Sequence, residues 1–201
     1  MTILMSYADV MNKANTNEQF SDFLTEAIEN FSTHGLNDDI EYFLKHRMTY
    51  YEDIGYARSY LVFDDDFIVL EGFFSISSRS LSIDRDVWVN LTRTQRGKIS
   101  PFGKDDDSDM RSIPAQLLGQ FGRNLNSTTG FSGADLMKAV RSVVQHLWFE
   151  TGMRFLWLEC ANDPHLRSFY EREGFKLLGL YECIGDSDVL IYMRKISKDS
   201  F

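Results

Sequence analysis

IPAQLLGQFG (Ile113–Gly122), FSGADLMKAVRSVVQHLWF (Phe131–Phe149), FLWLEC (Phe155–Cys160) and PHLRSFYEREGF (Pro164–Phe175) follow one another along the chain. They read as strand, helix, strand and helix. In the first, Ile113, Ala115, Leu117 and Phe121 alternate as the apolar face of a strand. A polar loop from Arg123 to Phe131 follows, and Ser132 with Asp135 three residues on forms a weak capping box. Leu136, Val140, Val143, Val144, Leu147 and Trp148 recur at helical spacing as a broad apolar stripe. Gly152 suits the left-handed residue past a helix end. FLWLEC reads as a strand buried on both faces, and Asn162, Asp163 and Pro164 turn the chain into a short helix. A helix joins the two strands, so they are expected to be parallel neighbours.

FYEREGF, Phe169–Phe175, resembles the Phe-Tyr-x-x-x-Gly-Phe signature of the GCN5-related N-acetyltransferases. The order of strand, loop, long helix, strand, Asn and short helix before it is also similar to that family's acetyl-CoA motif. The resemblance covers about the last half of the chain well, and the first half in its order of elements. It implies an α+β fold: a mixed, mostly antiparallel sheet with a splayed parallel strand pair and flanking helices. It implies acetyl-CoA as donor and direct transfer to a primary amine in a ternary complex, with no metal. The pantetheine would pair with the backbone at Phe121, Gly122 and Arg123, where the two strands part after Gly122. Tyr170 takes the family's general-acid position, and Asn162 falls where a residue often touches the pantetheine. Capping of the following helix is an equal reading for Asn162.

The family's phosphate loop usually reads Gln/Arg-x-x-Gly-x-Gly/Ala. Here the positions are Thr128, Thr129, Gly130, Phe131, Ser132 and Gly133, followed by Ala134. Thr128 stands for the usual Gln or Arg, Phe131 stands where the first Gly belongs, and Gly133 matches. A diphosphate needs free amides at a helix N-terminus and close backbone approach, which Gly130, Ser132 and Gly133 still offer. The altered loop also leaves a second reading open: a non-catalytic protein on this fold that binds acyl-CoA or a partner.

Acyl transfer needs a neutral amine, a donor for the oxyanion and a proton for the leaving thiolate. Glu71 and Glu159 are the candidate bases, as carboxylates on expected core strands. A buried, satisfied carboxylate is the competing reading for Glu159, and loss of the amine proton through ordered water needs no single base. His34, His46, His146 and His165 pair with no Ser or Cys in a nucleophile motif. Phe73, Phe74 and Trp88, in or beside an insertion, are candidates for lining an acceptor pocket.

The chain has 201 residues, 43% hydrophobic and 14% aromatic, enough for one large core. A net charge of -9 argues against broad phosphate-backbone binding. The acceptor stays open among a small-molecule amine, a protein amine and an aminoacyl-tRNA. A charged aminoacyl-tRNA, which would make the enzyme toxin-like, is the disfavoured alternative, and a homodimer stays open. No long apolar run or leader pattern is present, so the expectation is a cytoplasmic protein without a membrane span. Cys160 and Cys183 read as reduced thiols in strands, and no Cys/His cluster has metal-ligand spacing.

The whole chain reads as a single domain. Residues 1–16 are expected to be an arm or a short helix. Asn17 to Phe31 and Ile40 to Gly55 read as paired helices, the second capped by Asp38 or Asp39. Ala57–Phe63 and Phe67–Ser77 read as a hairpin around Asp64–Asp66, with a bulge at Gly72. Residues 79–111 form an insertion. KLLGLYEC and DVLIYMRKI close the chain as a hairpin about Gly185–Asp186.

Overall fold

A computed structural model describes residues 2–99, 101, 103–105, 110–182 and 188–197. Its strands are β1 (Thr2–Ser6), β2 (Arg58–Asp64), β3 (Leu70–Ser78), β4 (Leu81–Asp84), β5 (Lys104–Asp105), β6 (Met110–Ile113), β7 (Gln116–Arg123), β8 (Phe155–Ala161), β9 (Lys176–Glu182) and β10 (Asp188–Lys195). Its helices are α1 (Tyr7–Thr16), α2 (Glu18–Glu29), α3 (Asp38–Tyr42), α4 (Met48–Asp53), α5 (Arg85–Asn90), α6 (Arg93–Ile99), α7 (Gly133–Thr151) and α8 (Pro164–Arg172). A π-helical turn, Phe43–Arg47, links α3 to α4. Seven strands follow the order β1-β2-β3-β7-β8-β10-β9, and β4-β6-β5 form a smaller sheet. Among the described ladders only β7–β8 is parallel. The chain divides into two compact units, Met1–Ser77 with Gly119–Ser142, and Ser78–Leu118 with Val143–Phe201.

In the first unit, residues 2–16 form a strand and then the expected short helix, not a loose arm. β1 pairs with β2 along its whole length, from Thr2 opposite Asp64 to Ser6 opposite Tyr60. Ser6 then caps α1 by accepting from the Asp9 amide. Asn17 caps α2 as expected, whereas Asn37, not Asp38 or Asp39, caps α3. The apolar side of α2 (Phe20, Leu24, Ala27) packs with Phe31, Phe43, Leu61, Phe63 and Phe73 into one core cluster. Each such side chain contributes about 1.5–3 kcal/mol by leaving water. β3 starts at Leu70, not Phe67, because Phe67 takes a positive φ in the turn that the Asp64 carboxylate closes. Val62 pairs with Gly72 but Phe63 with Leu70, so the extra residue of the bulge is Glu71.

In the second unit, the described part of the insertion is folded. Leu81, Ile83 and Ile99 from it join Ile113, Phe155, Trp157 and Ile191 in a second core cluster. The Trp157 indole N–H donates to the Arg79 carbonyl at 3.0 Å. Ile113 is the end of β6, opposite Leu81, and not the start of the following strand. Pro114, which has no N–H, and Ala115 separate the two, and β7 restarts one step out of phase. Gln116 and Leu118 are therefore the buried positions, while Leu117 and Phe121 are only half-buried. The parallel ladder holds two pairs, Gln116 with Leu156 and Leu117 with Trp157. It ends at Leu117, well before Gly122. β9 and β10 form the closing antiparallel pair; Cys183 and the turn at Gly185–Asp186 lie outside the described residues.

Candidate functional site

The bulge at Glu71 explains the loop that follows β7. It re-aims a side chain that regular pairing would direct along the strand face. Glu71 is 1% exposed, and its two carboxylate oxygens accept from the Ser127 hydroxyl and the Thr129 hydroxyl, each at 2.6 Å. Hydrogen bonds to a charged acceptor are the stronger kind. Neighbouring Asn124 is equally committed. Its amide N–H₂ donates to the Leu70 carbonyl, its side-chain oxygen accepts from Ser32 and Asn126 amides, and its own N–H donates to the Glu71 carbonyl.

The Phe131 ring is buried, its N–H donates to the Thr129 hydroxyl at 3.2 Å, and its carbonyl accepts from Arg123 Nη1 at 3.0 Å. The loop is thus held by packing and hydrogen bonds where a glycine was expected. Thr128 is exposed and uncharged; the cation beside this loop comes from Arg123 at the end of β7. Gly130 takes φ +84, which glycine adopts without strain.

The capping box is complete. Ser132 Oγ accepts from the Asp135 amide at 3.2 Å, and Asp135 Oδ2 accepts from the Ser132 amide at 3.1 Å. The hydrogen bond from Lys138, then those from Ser132, hold the Asp135 carboxyl down at about 2. Among the described residues, the Gly133 and Ala134 amides have no protein partner. They open a helix of 19 residues, whose dipole favours an anion there. Gly122, expected to line the pantetheine, is closely covered on its Cα side. A Cβ there would meet Ile40, and Phe73 at 3.1 Å and Phe31 at 3.2 Å.

The second unit carries Tyr170, Asn162 and Glu159. The FYEREGF segment is a helix ending. Gly174 has φ +83, and the Phe175 N–H donates back to the Tyr170 carbonyl at 3.0 Å. This returns Phe175 to pack edge-on against Tyr170, with ring centroids 5.8 Å apart, while Tyr192 lies 6.0 Å away. Burial, and then the neighbouring Cys160, raise the Tyr170 phenol well above its ordinary value, so it keeps its proton through the neutral range. Burial also pushes the Cys160 thiol up to about 11.

Asn162 is exposed, and the cap of α8 is Asp163, which accepts from the His165 and Leu166 amides. Burial of β8 stops at Leu158, so Glu159 is exposed rather than a core carboxylate. Phe73 and Phe74 are fully buried, which removes them as pocket linings, and Trp88 lies under the Arg111 guanidinium.

Gln120 Oε1 is buried with no protein partner among the described residues. An unpaired buried acceptor costs about 1–3 kcal/mol, and a donor from a bound molecule would relieve that cost. In the sequence, strand alternation puts Gln120 on one face with Gln116 and Leu118, where an amide side chain can position a water but not act as a base. Among the described residues no His/Cys/Asp/Glu group is arranged to hold a metal, and no helix is long and apolar enough to cross a membrane.

No protein-family model and no curated protein matches the chain. Solved structures do. A tyrosine-to-phenylalanine mutant of KacT is 22% identical with a TM-score of 0.58, covering 83% of this chain and 86% of that one. AtaT complexed with acetyl-methionyl-tRNAfMet is 15% identical, TM-score 0.57, covering 81% and 85%. AtaTR bound with acetyl-CoA is 14% identical, TM-score 0.54, covering 96% and 92%. At these identities the likeness is one of fold.

Proposed function

We propose that this chain, which has the fold of the GCN5-related N-acetyltransferases, transfers an acetyl group from acetyl-CoA to a primary amine. The carrying observation is the loop locked by Glu71. It ends in the unpartnered Gly133 and Ala134 amides at the start of α7 and holds Arg123 beside it. These are the donors a diphosphate needs. In this reading the donor's diphosphate rests on Gly133 and Ala134, with Thr128, Thr129, Gly130 and Ser132 around it. Its pantetheine follows the backbone at Phe121–Arg123.

The amine nitrogen forms a bond to the thioester carbonyl carbon, and the carbon–sulfur bond breaks. Tyr170, protonated at neutral pH, gives its proton to the departing thiolate, and the amine's proton leaves to solvent or a carboxylate. Glu71 has both oxygens engaged, so it acts here by ordering the loop. Glu159, being exposed, is the freer proton acceptor.

A second reading of the acceptor has one observation behind it: AtaT, similar in fold, has a structure complexed with acetyl-methionyl-tRNAfMet. The charge of -9 weighs against it. Incubation with acetyl-CoA and a panel of amines, including aminoacyl-tRNA, with free CoA thiol as the signal, tests both. Release with a small or peptide amine supports the first reading, and release with aminoacyl-tRNA alone supports the second. Acetyl-CoA binding without release on any member leaves a binding protein, not an enzyme.

A further inference from the structure

The second unit holds a cleft of about 660 Å³, which the reaction above does not use. The size is that of a small-molecule site. Its floor is apolar: Ile99 of α6, Phe155 of β8, Leu178 of β9 and Met193 of β10, all buried. Its rim is cationic. Lys176 pairs with Met193 across β9–β10, and Lys195 pairs with Phe155 across β10–β8. Strand alternation therefore puts both lysines on the sheet face that carries the floor. Arg194 also lines the cleft and donates to the Glu173 carbonyl at 2.9 Å.

Among the described residues no acidic side chain lines the cleft, in a chain whose net charge is -9. Neither Lys176 nor Lys195 has a protein partner among the described residues. Two other polar side chains near the mouth, Thr92 and Gln95, are engaged with each other. Thr92 and Gln95 close a capping box on α6, with the Thr92 hydroxyl donating to Gln95 Oε1 at 2.7 Å.

We propose that this cleft binds an apolar-bodied carboxylate, its chain on Phe155, Leu178 and Met193 and its head between Lys176 and Lys195. A polyphosphate backbone would make use of the lysines and leave the apolar floor wet. A neutral apolar ligand would use the floor and leave the lysines idle. Only a ligand with both parts matches both surfaces.

Octanoate is the probe, with octanol and inorganic phosphate as controls, read by calorimetry and by the methyl resonance of Met193. The expected result is saturable octanoate binding that moves the Met193 methyl signal and is indifferent to saturating acetyl-CoA. Octanol and phosphate should each bind at least tenfold more weakly. Lys176→Gln and Lys195→Gln are exposed changes that keep the fold, and each should weaken octanoate about fivefold. Octanol binding as well as octanoate, affinity unchanged in both lysine variants, or no binding at all would overturn the proposal. So would displacement of octanoate by acetyl-CoA.

Discussion

Glu71→Ala removes the acceptor of two short hydrogen bonds, from Ser127 and Thr129, at a buried position. Hydrogen bonds to a charged acceptor contribute about 1.5–3 kcal/mol each. Both hydroxyls lie on an accessible loop and regain water, so the expected loss of stability is about 2–4 kcal/mol. The effect on the donor is separate. Ordering a residue's backbone costs about 1–2 kcal/mol. A loop partly freed at Ser127–Thr129 must be re-ordered by the bound diphosphate, at about 1–2 kcal/mol. Acetyl-CoA affinity should then fall about five- to thirtyfold. Glu71→Gln keeps the size and one acceptor oxygen, and should fall between wild type and alanine in both respects. Urea denaturation gives the first quantity and isothermal titration with acetyl-CoA the second. The reasoning fails if Glu71→Gln binds acetyl-CoA as wild type does while turnover collapses, for that is how a general base behaves.

Four further outcomes are expected. Gly122→Ala places a methyl against Ile40, Phe73 and Phe31, and overpacking of this kind costs about 1–3 kcal/mol in denaturant unfolding. Tyr170→Phe should lower turnover while leaving the acetyl-CoA dissociation constant unchanged; unchanged turnover would end its role as acid. Asp135 is held at about 2, below its unfolded value, so its contribution is present at neutral pH and lost as pH falls from about 4 towards 2. The stability gap between wild type and Asp135→Ala should close over that window in acid titrations followed by circular dichroism. In a Cys183→Ser background, alkylation of Cys160 at pH 8 should run about a hundredfold slower than that of a free thiol and accelerate up to about pH 11.

The fold was legible because its decisive elements are long and locally consistent. α7 shows its stripe and its capping box, and FYEREGF shows both the glycine that ends α8 and the aromatic that folds back on Tyr170. β1 was missed because TILMS is five residues with no alternation, and its pairing with β2 is a tertiary fact. The face of β7 was read one step out because Pro114 breaks a run that looks continuous. The site was less legible for the same kind of reason. Nothing local says that a bulge turns Glu71 towards residues more than fifty positions away, or that Arg123 supplies the charge Thr128 lacks. The carboxylate at Glu159 looked buried because Phe155–Leu158 is, and the burial ends one residue earlier.

The central claim is that the donor's diphosphate sits on the first amides of α7. Titrating ¹⁵N-labelled protein with acetyl-CoA and following the Gly133 and Ala134 amide resonances tests it most directly. The account predicts large, saturable shifts at both, in step with binding measured calorimetrically, with the Gly55 amide unmoved. Saturable binding that leaves Gly133 and Ala134 in place, or no binding at millimolar acetyl-CoA, would contradict it.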